Sequence, residues 1–263
     1  MKKVVICGSR PQPVIFDDAD HIFFINGSIS QQKNYKHVPT HTHVITRTGI
    51  RQILDTLEDP SAPQKKKENS QFRIEQICSG APDTTVFVDP GKTSESLSYL
   101  KRNGYRTDQV VSLDTREKID IIKSTSGLKF PFANPANHET NLPKKAKKTL
   151  YLLKDCYRIR FTDYRTGNPL PSAMPSNGVF ALAYAIATHG DSATFQITGI
   201  SFSDGPYYYE RDGSRFYVKK KRLHLSADIN ILSALSRHYR VSVDCPEGAK
   251  ETKTPLFQPS ERK

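Results

Sequence analysis

The chain has no tryptophan, two methionines and four cysteines in 263 residues. Cys7, Cys78, Cys156 and Cys245 stand far apart and form no C-x-x-C pair, so they read as buried free thiols in a reducing compartment. No stretch approaches the roughly 18 consecutive apolar residues of a membrane span. Behind Met1-Lys2-Lys3 the apolar run Val4–Cys7 breaks at Gly8 and Pro11, too soon for the core of a signal peptide. The expectation is a cytoplasmic protein. A complete G-x-G-x-x-G is also absent, which removes the usual dinucleotide fingerprint. Acidic residues are in deficit: 39 Lys and Arg against 27 Asp and Glu leave a formal charge of +12. Nucleic acid, an anionic membrane surface and an anionic substrate are the partners such a charge can serve. The alternative is solvated lysine, concentrated in Lys65–Lys67, Lys144–Lys148 and Lys219–Arg222.

What is present points to an α/β domain. Lys3–Cys7 is a short β-branched run feeding Gly8-Ser9-Arg10-Pro11, and a strand entering a tight polar turn opens many nucleotide-binding domains. Ser9 and the Gly8 amide are placed there to face a phosphate or ribose. His21–Ile25 is a second strand, and Asn26 at its exit carries an amide able to read a base or ribose. Asp18-Ala19-Asp20 matches a D-x-D metal motif in letters, but it precedes its strand, whereas ligands of open α/β sheets sit at strand carboxyl ends. His41 and His43 share one face of a third strand, with His37 nearby, the minimum for a zinc reading. Gly49–Leu57 has helical spacing, stopped by Pro60.

Pro60–Ser70 reads as a basic loop, Phe72–Cys78 and Thr84–Val88 as strands, and Ser94–Lys101 as helix. Gln109–Leu113 follows as strand and Thr115–Lys123 as helix. From Ser124 to Lys148 periodicity fades, as in a lid or an insertion, and Thr149–Phe161 resumes as helix or strand. Val179, Phe180, Leu182, Ala183, Ile186 and Ala187 then recur at helical spacing, with Ser176 as N-cap. The N–H groups of Asn177, Gly178 and Val179 at that positive end form a seat for an anion. Ala193–Ile197 is a buried strand leaving through Gly199-Ile200-Ser201, and Ser203–Val218 is rich in tyrosine. His224 heads an amphipathic helix marked by Leu225, Ile229, Leu232 and Leu235, and Val241–Val243 is a last strand. Residues from Glu247 onward read as a frayed tail.

Several of these pieces, in order, resemble the bacterial sialyltransferases of glycosyltransferase family 42. K-K-V-V-I-C-G-S is similar to that family's first strand and turn, and D-A-D-H-I-F-F-I-N to its second strand with a terminal Asn. S-N-G-V-F-A-L-A-Y-A-I-A resembles its helix start, I-T-G-I-S-F its S-G-I-D-F, and H-L-S-A-D-I-N-I-L its His-led helix entry. The match covers most of residues 1–28 and 176–246. It implies a Rossmann-like, mostly parallel sheet with helices on both faces, a GT-A-like variant with a small lid. One domain would span residues 1–248, with the lid around 124–148 and 203–222 and a flexible tail at 249–263.

The implied reaction is inverting transfer of an acidic sugar from a CMP donor to a hydroxyl of a glycan or glycolipid acceptor, with no cofactor required. His224 would be the general base, and Tyr207 or Tyr208 the phenol supporting the departing phosphate. Asn26, Asn177 and Gly178 would fall in the CMP site, joined by Gly8, Ser9, Ser176, Gly199 and Ser201 from the strand exits and helix start. The chain departs from the family pattern at Ser9, Met174, Asn177, Ser201 and Ser203, and close to Arg47, where the family has an Asn near the third strand, which leaves the donor open between sialic acid and a related sugar such as Kdo. A non-catalytic CMP-sugar-binding relative and a basic nucleic-acid-binding protein are the alternatives. A homo-oligomer and a peripheral place at an anionic inner membrane face complete the expected partners.

Overall fold

The computed structural model describes residues 1–8, 18–89, 91–134, 136–137, 139–162, 169–200 and 224–256. Among these residues seven short strands carry the architecture: β1 (Lys2–Cys7), β2 (His21–Ile25), β3 (His41–Thr46), β4 (Thr84–Val88), β5 (Gln109–Ser112), β6 (Ala193–Thr198) and β7 (Arg240–Val243). Their order is β5-β4-β3-β2-β1-β6-β7, and every pairing among them is parallel. β2 and β3 are buried along their whole length, as expected of parallel strands covered on both faces; β2 is accordingly an almost unbroken apolar run, whereas β3 buries His41, Thr42, His43 and Thr46 as well. The arrangement is the Rossmann-like one expected from the sequence.

Helices cover both faces. α1 (Arg47–Glu58), α2 (Gln64–Cys78) and α3 (Thr93–Arg102) pack Ile50, Ile53, Ile74, Ile77 and Leu100 against Ile45 and Phe87. Beside them, the 3₁₀ segment Asn26–Tyr35 puts Ile29 and Tyr35 over Val5, Ile22 and Phe24. On the opposite face, α4 (Thr115–Ser126), α6 (Asn177–His189) and α7 (Leu225–His238) bury Ile119, Phe180 and Ile231 against Ile6, Phe23 and Val44. α5 (Leu142–Phe161) lies outside α4 in sequence and closes onto this core through Ile159. α8 (Pro246–Thr252) follows the last strand.

Four readings of the sequence are corrected. Pro60–Ser70 is not a loop throughout, since α2 begins at Gln64 and Gln64–Ser70 is its first half. Phe72–Cys78 is helix, the end of α2, and not strand. The Phe72/Ile74 alternation imitates a strand, but the buried positions Ser70, Ile74 and Ile77 are spaced four and three apart, which is one helical face. The patternless region 124–148 is helical at both ends: α4 runs to Ser126, and α5 begins at Leu142, capped where the Asn141 Oδ1 accepts from the Lys144 N–H at 3.1 Å. Lysines 144–148 therefore form the first turns of a helix. Finally, the chain beyond Glu247 is not frayed at its start. After α8 it returns to the sheet edge, where the Val243 N–H donates to Pro255 O at 3.0 Å and Thr254 is buried.

The chain adds strands outward from β1 to β5, then comes back to β1's other side with β6 and β7. That reversal requires β1 and β6 to leave the sheet side by side. Gly8 makes it possible. Its N–H donates to Thr198 O at 2.8 Å, and a Cβ there would stand 2.2 Å from Gly199 O. A Cβ on Gly178 would meet only the Ile200 side chain, at 2.5 Å. Gly8→Ala is expected to cost about 3 kcal/mol in a urea melt, because a backbone oxygen is the obstacle, and Gly178→Ala clearly less, because a side chain can turn away.

Candidate functional site

The carboxyl ends of the strands gather most of the sequence-predicted residues. β1 leads into Gly8, β2 into Asn26 and β6 into Gly199, and the N-termini of α6 and α7 face the same edge. The exit of β2 is tied to that of β1, since the Ser28 hydroxyl donates to Cys7 O and accepts from the Ile25 N–H, both at 2.7 Å. This turn holds Asn26 at φ 49, a left-handed conformation that Asn tolerates better than most residues. The exit of β6 is held from β7: Asp244 accepts from the Thr198 hydroxyl and from the Gly199 N–H. Burial raises the Asp244 carboxyl above its ordinary range, against those two hydrogen bonds.

α6 starts at this reversal. Its N-cap Ser176 accepts from the Val179 N–H at 3.5 Å, and its own N–H donates to the buried Asp228 of α7 at 2.7 Å. Desolvation pushes the Asp228 carboxyl up to about 7, opposed by hydrogen bonds from Ser176 and by the charge of Lys118. A carboxyl that exchanges its proton near neutrality thus lies directly behind the helix start. His224, the residue before α7, places Nδ1 2.9 Å from Met174 O. A carbonyl only accepts, so Nδ1 carries the proton, and in the neutral ring Nε2 holds the lone pair. The imidazole is oriented by the backbone just ahead of Ser176, and its second nitrogen can serve as a base.

Two buried cations form a layer that sequence reasoning missed. Lys118 of α4 reaches Asp89 Oδ1 at 2.8 Å and Asn177 Oδ1 at 3.4 Å, with its ammonium 5.3 Å from the Phe180 ring centre. Arg47 donates to Asp89 O at 2.5 Å, to the Thr93 and Ser112 hydroxyls at 2.8 and 2.6 Å, and to Leu113 O at 2.6 Å. Asp89, just past β4 at φ 71, joins the two. In the sequence Lys118 is one polar residue in a polar helix, so nothing marks its burial. Asp89 had a weak signal, since it directly follows an apolar strand.

Of the proposed site residues, Ser176, Asn177, Gly178 and His224 come together, and Gly8, Gly178 and Gly199 meet around Ile200. Asn26 is one strand further along the edge. It lines a cleft of about 50 Å³ with Gly27, Thr46, Gly49 and Arg73, space for a water or two rather than a nucleotide. Ser9, Ser201, Tyr207 and Tyr208 lie outside the described residues. The histidines of β3 are structural: His41 bonds Gln32 and Tyr35 O at 3.1 and 3.0 Å, and His43 bonds the Tyr105 hydroxyl and Asn26 O at 2.7 and 2.8 Å. Burial holds His43 down to about 4. Asp18 and Asp20 both serve Lys3 at the start of β1, the far edge of the sheet.

Lys118→Met would strand the half-buried Asp89 carboxylate. A loss of about 2–3 kcal/mol is expected by chemical denaturation, with partial recovery when Asp89→Asn is added. Asp228 yields a pH dependence. Between about pH 4 and 7 the unfolded chain has lost this proton while the folded chain keeps it, so raising the pH favours unfolding across that window. Asp228→Asn removes that slope. Its stability relative to wild type should climb by up to about 1.4 kcal/mol per pH unit through the window and level off above it, as read from urea melts.

No protein-family model, no curated protein and no solved structure matches the chain, so its function is argued from this edge of the sheet.

Proposed function

We propose that the chain is an inverting glycosyltransferase. It would move sialic acid, or a related acidic sugar of the Kdo type, from a CMP donor to a hydroxyl of a glycan or glycolipid, with His224 as general base. One observation carries the reading: His224 and the N-terminus of α6 converge where strand order reverses between β1 and β6. In open α/β sheets that crevice is where ligands bind. The resemblance of the same segments to family 42 sialyltransferases supports the choice of donor.

The roles follow from the groups present. His224 Nε2 takes the acceptor proton as the acceptor oxygen attacks the anomeric carbon, and the bond from that carbon to the phosphate oxygen breaks. The leaving CMP phosphate gains negative charge, which the first-turn N–H groups of Asn177 and Gly178 oppose at the positive end of α6. Tyr207 and Tyr208 are assigned to the same phosphate by the family resemblance alone. Met174 O fixes the tautomer of His224, and Lys118 positions Asn177 from behind through its carbonyl oxygen.

The test is turnover of CMP-sialic acid and CMP-Kdo with wild type and His224→Ala. Transfer should fall about 10²- to 10⁴-fold in the variant, while CMP raises the melting temperature of both proteins alike. Undiminished transfer by His224→Ala would overturn the base assignment. CMP binding without turnover would point to the non-catalytic relative. No thermal response to millimolar CMP, together with salt-sensitive binding of single-stranded nucleic acid, would point to the nucleic-acid-binding alternative.

A further inference from the structure

α5 has two apolar faces, and among the described residues only one of them is packed into the fold. Its inward face is Leu152, Asp155 and Ile159, spaced three and four apart; Leu152 and Asp155 are buried, and Ile159 packs on the main core. Asp155 also accepts from the Leu170 N–H at 3.0 Å, and Lys148 pairs with Glu139 at 2.8 Å, so the helix cannot roll freely about its axis. Turned away from the core is a second stripe: Leu142, Ala146, Leu150, Leu153, Tyr157 and Phe161. Its steps of four, four, three, four and four run the full length of the helix along one side. Leu150, Leu153, Tyr157 and Phe161 are each between 62 % and 69 % exposed. An ordinary surface helix directs such residues inward and leaves charge outside.

The charge beside the stripe has one sign. α5 carries Lys144, Lys145, Lys147, Lys148, Lys154, Arg158 and Arg160, and its only acid, Asp155, faces inward. On the helical wheel Lys154, Lys147 and Arg158 follow directly after the edge of the stripe. An apolar face bordered by cations, on a helix about 30 Å long at 1.5 Å per residue, is the pattern of a helix lying in a membrane interface. A second copy of the chain is a poorer occupant, since pairing two such helices would set cation against cation.

We infer that α5 is a membrane-surface helix. It lays Leu142, Leu150, Leu153, Tyr157 and Phe161 into the headgroup boundary of an anionic bilayer while Lys147, Lys154 and Arg158 beside them engage the lipid phosphates. The helix rests on the surface and does not cross it: among the described residues no helix is long and apolar enough to span a membrane. The inference stands apart from the transferase reading, because it uses none of the residues at the strand exits.

Sedimentation of the full chain with vesicles decides it. The protein should pellet with vesicles of equal parts phosphatidylglycerol and phosphatidylcholine, stay in solution with phosphatidylcholine alone, and come off as salt is raised. The exposed pair Leu153→Asp/Tyr157→Asp should weaken partitioning at least about tenfold, and Lys147→Glu/Lys154→Glu by about tenfold. Lys65→Glu/Lys66→Glu on α2 makes the same charge change elsewhere and should shift it no more than about twofold. Circular dichroism of each variant checks that the fold persists. Failure of wild type to bind the anionic vesicles, or equal losses from the α2 and α5 charge variants, would overturn the assignment. So would a dimer in solution that Leu153→Asp dissociates, which would give the stripe to a second copy.

Discussion

Everything at the functional edge depends on one close backbone approach, where β1 and β6 leave the sheet together. Gly8 lacks the Cβ that would otherwise collide with Gly199 O, and its N–H continues the ladder to Thr198. Because those exits touch, Ile200 can fill the angle between them and press on Gly178, which brings the start of α6 against the reversal. Ser176, Asp228 and His224 are then linked to one another through short backbone and side-chain bonds. Removing the contact would separate three elements at once, whereas removing any one polar bond would loosen only one of them.

The polar groups of the protein are divided between the two edges of the sheet. At the amino edge, His21 bonds His189 at 2.9 Å and Thr42 at 2.8 Å while stacking on Phe23, and burial holds its imidazole down to about 3. These groups are satisfied within the fold, and the charges of this edge, Lys3 with Asp18 and Asp20, meet at its surface. At the carboxyl edge stand Arg47, Lys118, Asp89, Asp228 and Asp244, charged or titrating groups whose desolvation is offset by pairing and by backbone donors. A fold gains little stability from such groups over apolar ones of equal volume. Their concentration at the edge where open α/β sheets bind ligands accords with the transferase reading.

How much was legible varied with the kind of signal. β1, β2 and β4 could be read from the apolar runs Val4–Cys7, Ile22–Ile25 and Val86–Val88, and β6 from the alternation of Ala193, Phe195 and Ile197 with Thr194 and Gln196. α6 was legible for a related reason: it is apolar nearly all round, with a capping Ser at its start. α2 was misread because seven residues of Phe-x-Ile spacing fit two periods equally well until Ile77 is known to be buried beside Ile74. α5 was missed in part because its outward stripe and its lysines do not look like a core helix, which is the property that suggests a role for it.

The sequence by itself determined the α/β class, most of the elements and the candidates at strand exits and helix starts, because periodicity, caps and glycine turns are local properties. Tertiary structure alone decided which candidates meet. Asp228 becomes a carboxyl of near-neutral affinity only when α7 buries it behind Ser176, and Lys118 becomes a site cation only when α4 turns it toward Asp89 and Asn177. Burial and pairing arise between segments more than a hundred residues apart in places. No local pattern encodes them, and His41 and His43, which looked like ligands, were spent on the structure for the same reason.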